Sequence, residues 1–143
     1  MAVDLDHTFT PGTSVDQTYA GIVDLEKVVP LVEGGKVNER TGPDAVNAEI
    51  LVKMGAMSMT FKGTVEVAER DEEAKRAVLR IKSKDTGGSG YANADVAFAL
   101  SDGGGTIHTE AKITGKAASM GEGVVSTVLD ALIKDFTTKL AAI

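Results

Sequence analysis

The chain has 143 residues, no cysteine, 43% hydrophobic residues and a formal net charge of −6 at pH 7. That length and apolar content suit one folded domain with a sizeable core, expected to span residues 1–143, and not a disordered chain. The acidic balance argues against nucleic-acid binding, and the lack of cysteine excludes disulfides, thiolate metal sites and a cysteine nucleophile.

Val3, Leu5, His7 and Phe9 alternate with Asp4, Asp6, Thr8 and Thr10, the pattern of a half-buried strand that Pro11-Gly12 ends. Thr13 or Ser14 can cap a short helix through Val15, Tyr19 and Ile22, and Asp24 a second one stopped by Pro30. The two are expected to plug one edge of a sheet. From Gly34 the period is two. Val37 opens this region with a short strand, and Val46, Ala48, Ile50, Val52 and Met54 follow on one face of the next. Met57, Met59, Phe61, Gly63, Val65 and Val67 share a face of the third, and Ala77, Leu79 and Ile81 of the fourth. Ala92, Ala94, Val96, Phe98 and Leu100, then Ile107, Thr109, Ala111 and Ile113, complete the series. Turn residues at 41–45, 55–56, 70–74, 85–90 and 102–105 separate these runs. Such clean alternation predicts an antiparallel meander with one wet and one dry face.

The last stretch changes period. Met120, Val124, Val125, Val128, Leu129, Leu132, Ile133, Phe136, Leu140 and Ile143 recur at helical spacing, with Asp130–Lys134 and Asp135–Lys139 as acid-before-base pairs on the other side. Ser119 and Glu122 read as a capping box at its start. A helix over 119–143 would be about 36 Å long, comparable with the width of a sheet of six or seven strands. One long amphipathic helix following a run of strands is a lid for a curved sheet.

Antiparallel order places the links 30–36, 54–57, 83–91 and 116–121 at one pole and 41–45, 70–74 and 102–105 at the other. Glycines and Met54, Met57 and Met120 gather at the first pole, which suggests a mouth that opens and closes. The alternative is that glycine serves turns and methionine fills gaps. Lys36, Lys53, Lys82, Lys84 and Lys116 lie near that pole, and Asp44, Asp71, Glu72, Glu73 and Asp102 near the other. This polarity would present the mouth to an anionic membrane or an acidic partner; otherwise the lysines protect strand ends.

Strand, two short helices, six strands and a long final helix is the helix-grip order of the START-like (SRPBCC) superfamily, an α+β class with a curved antiparallel sheet of about seven strands. Within it, Phe61-Lys62-Gly63-Thr64-Val65-Glu66-Val67, Gly87-Gly88-Ser89-Gly90 and the run from Ile113 to Gly121 resemble the family of the carbon monoxide dehydrogenase G-subunit. Where that family usually has Pro-Gly, this sequence has Pro30-Leu31, and it ends at Ile143 where many relatives carry a further tail. The resemblance implies an accessory protein of a molybdenum hydroxylase, binding a lipophilic molecule such as a quinone and associating with enzyme or membrane. The expected location is cytoplasmic, peripheral at the inner face of the cell membrane.

Catalytic chemistry finds little to work with. His108 falls on the wet face beside Glu110 and Lys112 and is expected to be solvated. His7 falls on the dry face, either as a polar anchor for a ligand carbonyl or as a histidine satisfied by backbone. No His-x-His or His-x-x-x-His spacing suggests zinc, and the glycine-rich link lacks a following Lys-Ser/Thr and leads to a strand, unlike a phosphate loop. The dry phase from Val46 to Ile113 carries no charged residue, so acid–base catalysis is not expected. An apolar ligand is. The small side chains Ala48, Gly63, Ala92, Ala94, Thr109 and Ala111 would leave room for it. The expected wall consists of Val52, Met54, Met57, Met59, Phe61, Ala94, Val96, Phe98, Ala111, Ile113, Met120, Val124 and Val128. A protein–protein adaptor with a filled core is the second reading, and a cyclase- or hydrolase-like enzyme the third.

Overall fold

Dry and wet phases separate as the alternation requires in the computed structural model, which describes residues 1–88 and 90–143. Strands β1 (Ala2–Phe9), β2 (Gly35–Gly42), β3 (Ala45–Met54), β4 (Met57–Asp71), β5 (Arg76–Asp85), β6 (Tyr91–Ser101) and β7 (Gly104–Ile113) form one sheet. Its order is β1-β7-β6-β5-β4-β3-β2, antiparallel throughout. Six strands are a plain meander; β1 closes the far edge by pairing with β7, Leu5 opposite Thr109 and His7 opposite Ile107. Register shifts between Val37 and Glu39 and between Val67 and Glu69 mark bulges, which strengthen the twist that curves the sheet. Ser89, in the glycine-rich link, lies outside the described residues.

Helix α1 (Val15–Val23) starts where expected: the Gln17 N–H donates to the Ser14 hydroxyl at 3.1 Å. Asp24 stands at the start of α2 (Leu25–Val28) but caps it through its backbone carbonyl, which accepts from the Lys27 and Val28 N–H groups, not through its side chain. Pro30 then sits inside a 3-10 turn, Val29–Leu31. α1 packs against β5 and β6 and α2 against β3 and β4, across an end of the sheet, and the 3-10 turn that continues α2 packs against the edge strand β2. The Tyr19 hydroxyl donates to the Arg76 carbonyl at 2.9 Å, pinning α1 at the pole of the charged turns. There the expected acidic cluster is threaded with cations. Arg70 reaches Asp44 at 2.9 Å and Glu72 at 3.8 Å, and Lys75 reaches Asp16 at 3.1 Å.

The long helix α3 (Glu122–Ala141) starts two residues later than the capping box implies. Residues Ala118–Met120 form a 3-10 turn, so the Ser119 hydroxyl donates to the Lys116 carbonyl at 2.6 Å and is not available as a cap. Leaving that turn requires a left-handed backbone (φ 97°), which Gly121 supplies without a Cβ penalty. The exposed side of α3 carries both expected ion pairs, Asp130–Lys134 and Asp135–Lys139, each at 2.9 Å. Its inner stripe is Val125, Phe136 and Leu140, all buried, with Val128, Leu129, Leu132 and Ile133 half-buried. Among the described residues, no helix is long and apolar enough to cross a membrane.

The apolar interior divides into two clusters. One, around Phe9, Tyr19, Ile22, Leu100, Phe136 and Leu140, fills the α1 end. The other gathers Val3, Val52, Ile113, Ala117 and Val125 with all five methionines at the start of α3. Between them the packing is open.

Candidate functional site

The opening is a cavity of about 230 Å³ between the sheet and the second half of α3. Its floor is the dry phase of the central strands: Ala48, Phe61, Val65, Leu79, Ala94, Val96, Phe98 and Ile107. Leu129, Leu132, Ile133 and Phe136 of α3 roof it, and Val28, Val29 and Val32 line the side next to β2. Phe136 meets Phe98 edge-on, ring centroids 6.2 Å apart, which closes the α1 end. Room exists because the floor is made of small residues. Ala48 and Gly63 face each other across β3 and β4, and Ala94 pairs with Ala111 and Ile81.

Of the thirteen expected wall residues, the cavity brings together Phe61, Ala94, Val96 and Phe98. Val52, Met54, Met59, Ala111 and Ile113 are buried in the methionine-rich cluster, against which Met57, Met120 and Val128 pack, so they lie one layer beyond the cavity. Val124 is 42% exposed: it sits in the first turn of α3, one helical step off the inner stripe, and walls nothing. Residues of the second short helix and its 3-10 turn, Val28, Val29 and Val32, went unmarked in the sequence. Their only signal was apolar character next to Pro30.

Polar groups in the lining are few. Glu49 lies at the edge, 3.7 Å from Lys36, and the Ser83 hydroxyl donates to the Ala92 carbonyl at 2.5 Å. Thr64 is exposed. Thr109 is buried, 4% exposed, and its hydroxyl has no partner among the described residues. His7 does not line the cavity. Its Nε2 lies 2.7 Å from Asp130 Oδ1, a carboxylate of α3 and not a backbone group, while its Nδ1 is buried without a partner among the described residues. Lys134 foremost, and then His7, hold the Asp130 carboxyl below its ordinary range. A carboxylate only accepts, so Nε2 carries the proton. This bond ties α3 to β1.

His108 is less free than expected. Across the β1–β7 pair its Nδ1 lies 2.6 Å from Asp6 and its Nε2 3.2 Å from Glu110. These two carboxylates, Asp6 first, raise its pKa above the ordinary value because both ring nitrogens donate only in the protonated form. The raised pKa makes its contribution to stability complete below the unfolded value, about 6.5, and lost as pH rises through the folded value. An NMR titration of His108 should give a midpoint above that of an unfolded peptide, and Asp6→Asn should lower it. A midpoint insensitive to Asp6→Asn would refute the pairing. Asp4, His108 and Glu110 also bring donor atoms within 4.8 Å of one another, a juxtaposition from two strands that spacing along one strand cannot show.

A curved seven-stranded antiparallel sheet gripping a long C-terminal helix is the helix-grip fold of START-like proteins. The chain belongs to the CoxG family, that of the carbon monoxide dehydrogenase G-subunit, whose sequence pattern matches residues 12–142. Among solved structures it is similar to a conserved protein from Geobacillus kaustophilus (TM-score 0.79, 19% identity, 99% of this chain and 93% of that one). It is also similar to the ZhuI aromatase/cyclase from Streptomyces sp. R1128 (TM-score 0.65, 11% identity, 99% and 93%). A third likeness is to major latex-like protein 151 from Panax ginseng (TM-score 0.61, 13% identity, 99% and 97%). No curated protein sequence matches the chain.

Proposed function

We propose that the protein is a non-enzymatic carrier that holds a lipophilic small molecule, a quinone or another isoprenoid or acyl lipid, beneath α3. In this reading it serves as an accessory to a molybdenum hydroxylase of the carbon monoxide dehydrogenase type. The observation that carries the reading is the cavity itself: about 230 Å³ floored and roofed by aliphatic and aromatic side chains. Burying apolar surface there, at about 25 cal/mol per Å², supplies affinity through shape. The hollow is smaller than most pockets for drug-sized ligands, so a long chain would lie partly outside. The half-buried lining at Val29, Val32, Leu132 and Ile133 is the way out, between the 3-10 turn and α3. The open space beneath α3 supports the carrier over an adaptor with a filled core. Against catalysis stands the lining chemistry, whose one carboxylate, Glu49, lies at the edge near Lys36.

The pole that carries Lys36, Lys53, Lys82, Lys84 and Lys116, all exposed, supports loading at an anionic membrane. Leu51, Tyr91 and Val124, the exposed large hydrophobic residues among those described, lie at the same pole. One experiment tests both statements. The protein is incubated with vesicles containing an isoprenoid quinone, in phosphatidylglycerol or in phosphatidylcholine, then recovered and weighed by native mass spectrometry. A noncovalent quinone adduct is expected, more of it from the anionic vesicles. No adduct from either refutes the carrier; equal adduct from both refutes charge-guided contact.

A further inference from the structure

Thr109 stands alone among the residues that line the cavity. Of the four with polar or charged side chains, Glu49 lies near Lys36 at the edge, Ser83 is spent on the Ala92 carbonyl, and Thr64 is exposed. Thr109 is buried in the middle of β7, between Leu5 of β1 and Val96 of β6, with its hydroxyl unpaired. An unpaired buried hydroxyl is costly, and valine would fill the same volume without that cost. The cavity lies against this residue, and rotation about χ1 exchanges the hydroxyl and methyl positions.

Resting on the carrier reading, we propose that Thr109 is the hydrogen-bonding anchor of the cavity. Its occupant is then an uncharged lipophile whose buried part carries an oxygen, as a carbonyl, ether or hydroxyl. The rest of the lining supports the same class. It includes no cationic side chain, so a buried fatty-acid carboxylate would lack a counter-ion and would lie in a site whose own charged group, Glu49, is negative. A pure hydrocarbon would fit the walls but leave the hydroxyl unsatisfied. The oxygen-bearing class satisfies both.

Three probes of nearly one shape separate these cases: 2-acetylnaphthalene, 2-isopropenylnaphthalene and 2-naphthoate, measured by isothermal titration calorimetry on the full chain. Naphthoate should bind most weakly to the wild type. In Thr109→Val the ratio of ketone to hydrocarbon affinity should fall about five- to tenfold, the worth of one ordinary hydrogen bond, with hydrocarbon affinity unchanged or higher. Thr109→Ser should restore the wild-type ratio. An unchanged ratio in Thr109→Val, with both probes bound, overturns the anchor and leaves the carrier standing. Binding of none of the three to the wild type overturns the carrier and the anchor together.

Discussion

Gly63→Ala is expected to lower the free energy of unfolding by about 3 kcal/mol, a large loss for one methyl group. A Cβ at Gly63 would lie 1.8 Å from the Lys82 carbonyl oxygen and 2.7 Å from Ser83 Cα, both backbone atoms of the neighbouring strand. No side-chain rotation relieves such a contact. β4 and β5 would have to separate where they pair Gly63 with Ser83, and ladder hydrogen bonds would lengthen or break. The same site floors the cavity, so the close approach of the two strands is part of what shapes it. Gly123→Ala is the control: nothing lies within 4 Å of a Cβ there, the residue is helical, and alanine should stabilise by up to about 1 kcal/mol. Chemical denaturation of the two variants checks both signs. A loss under about 1 kcal/mol at Gly63 would mean that the strands do not approach as described.

Strand existence and pairing order were legible because the side-chain period of a strand is two, and residues from Val46 to Ile113 keep that period with turn residues between runs. The start of α3 was not. Ser119 and Glu122 satisfy the spacing of a capping box, yet the preceding residues coil into a 3-10 turn and hand the reversal to Gly121. The cavity was half legible, for a geometric reason. Alternation tells which face a side chain takes, not its level along the strand relative to a helix crossing above. Met59 and Phe61 share a face and both belong to the cluster with Ala117 and Val125, but only Phe61 also reaches the cavity. The polar residues show the same limit. His7 and Thr109 both fall on the dry face, and the carboxylate that claims His7 comes from a helix 123 positions away. Nothing near His7 in the chain announces Asp130.

Filling the cavity should abolish ligand binding while leaving the fold intact, and Ala94→Phe is the substitution placed to do so. Ala94 is on the floor, between Ile81 of β5 and Ala111 of β7, and its Cβ lies on the same face of β6 as Phe98. A benzyl group there enters existing space, in contrast to the methyl group at Gly63, which has only backbone to meet. It brings no polar atom into an apolar hollow, so its burial should hold stability or raise it by up to about 2 kcal/mol. Affinity for a lipophilic probe should fall at least tenfold, because ring and ligand compete for the same 230 Å³ or so. Calorimetric titration of the variant, with thermal melting as the check on folding, reads both quantities. A folded, ring-filled variant that still binds the probe would place the ligand elsewhere. A filled variant that loses the probe but still binds the hydroxylase proposed as its partner would show that binding and docking use different surfaces.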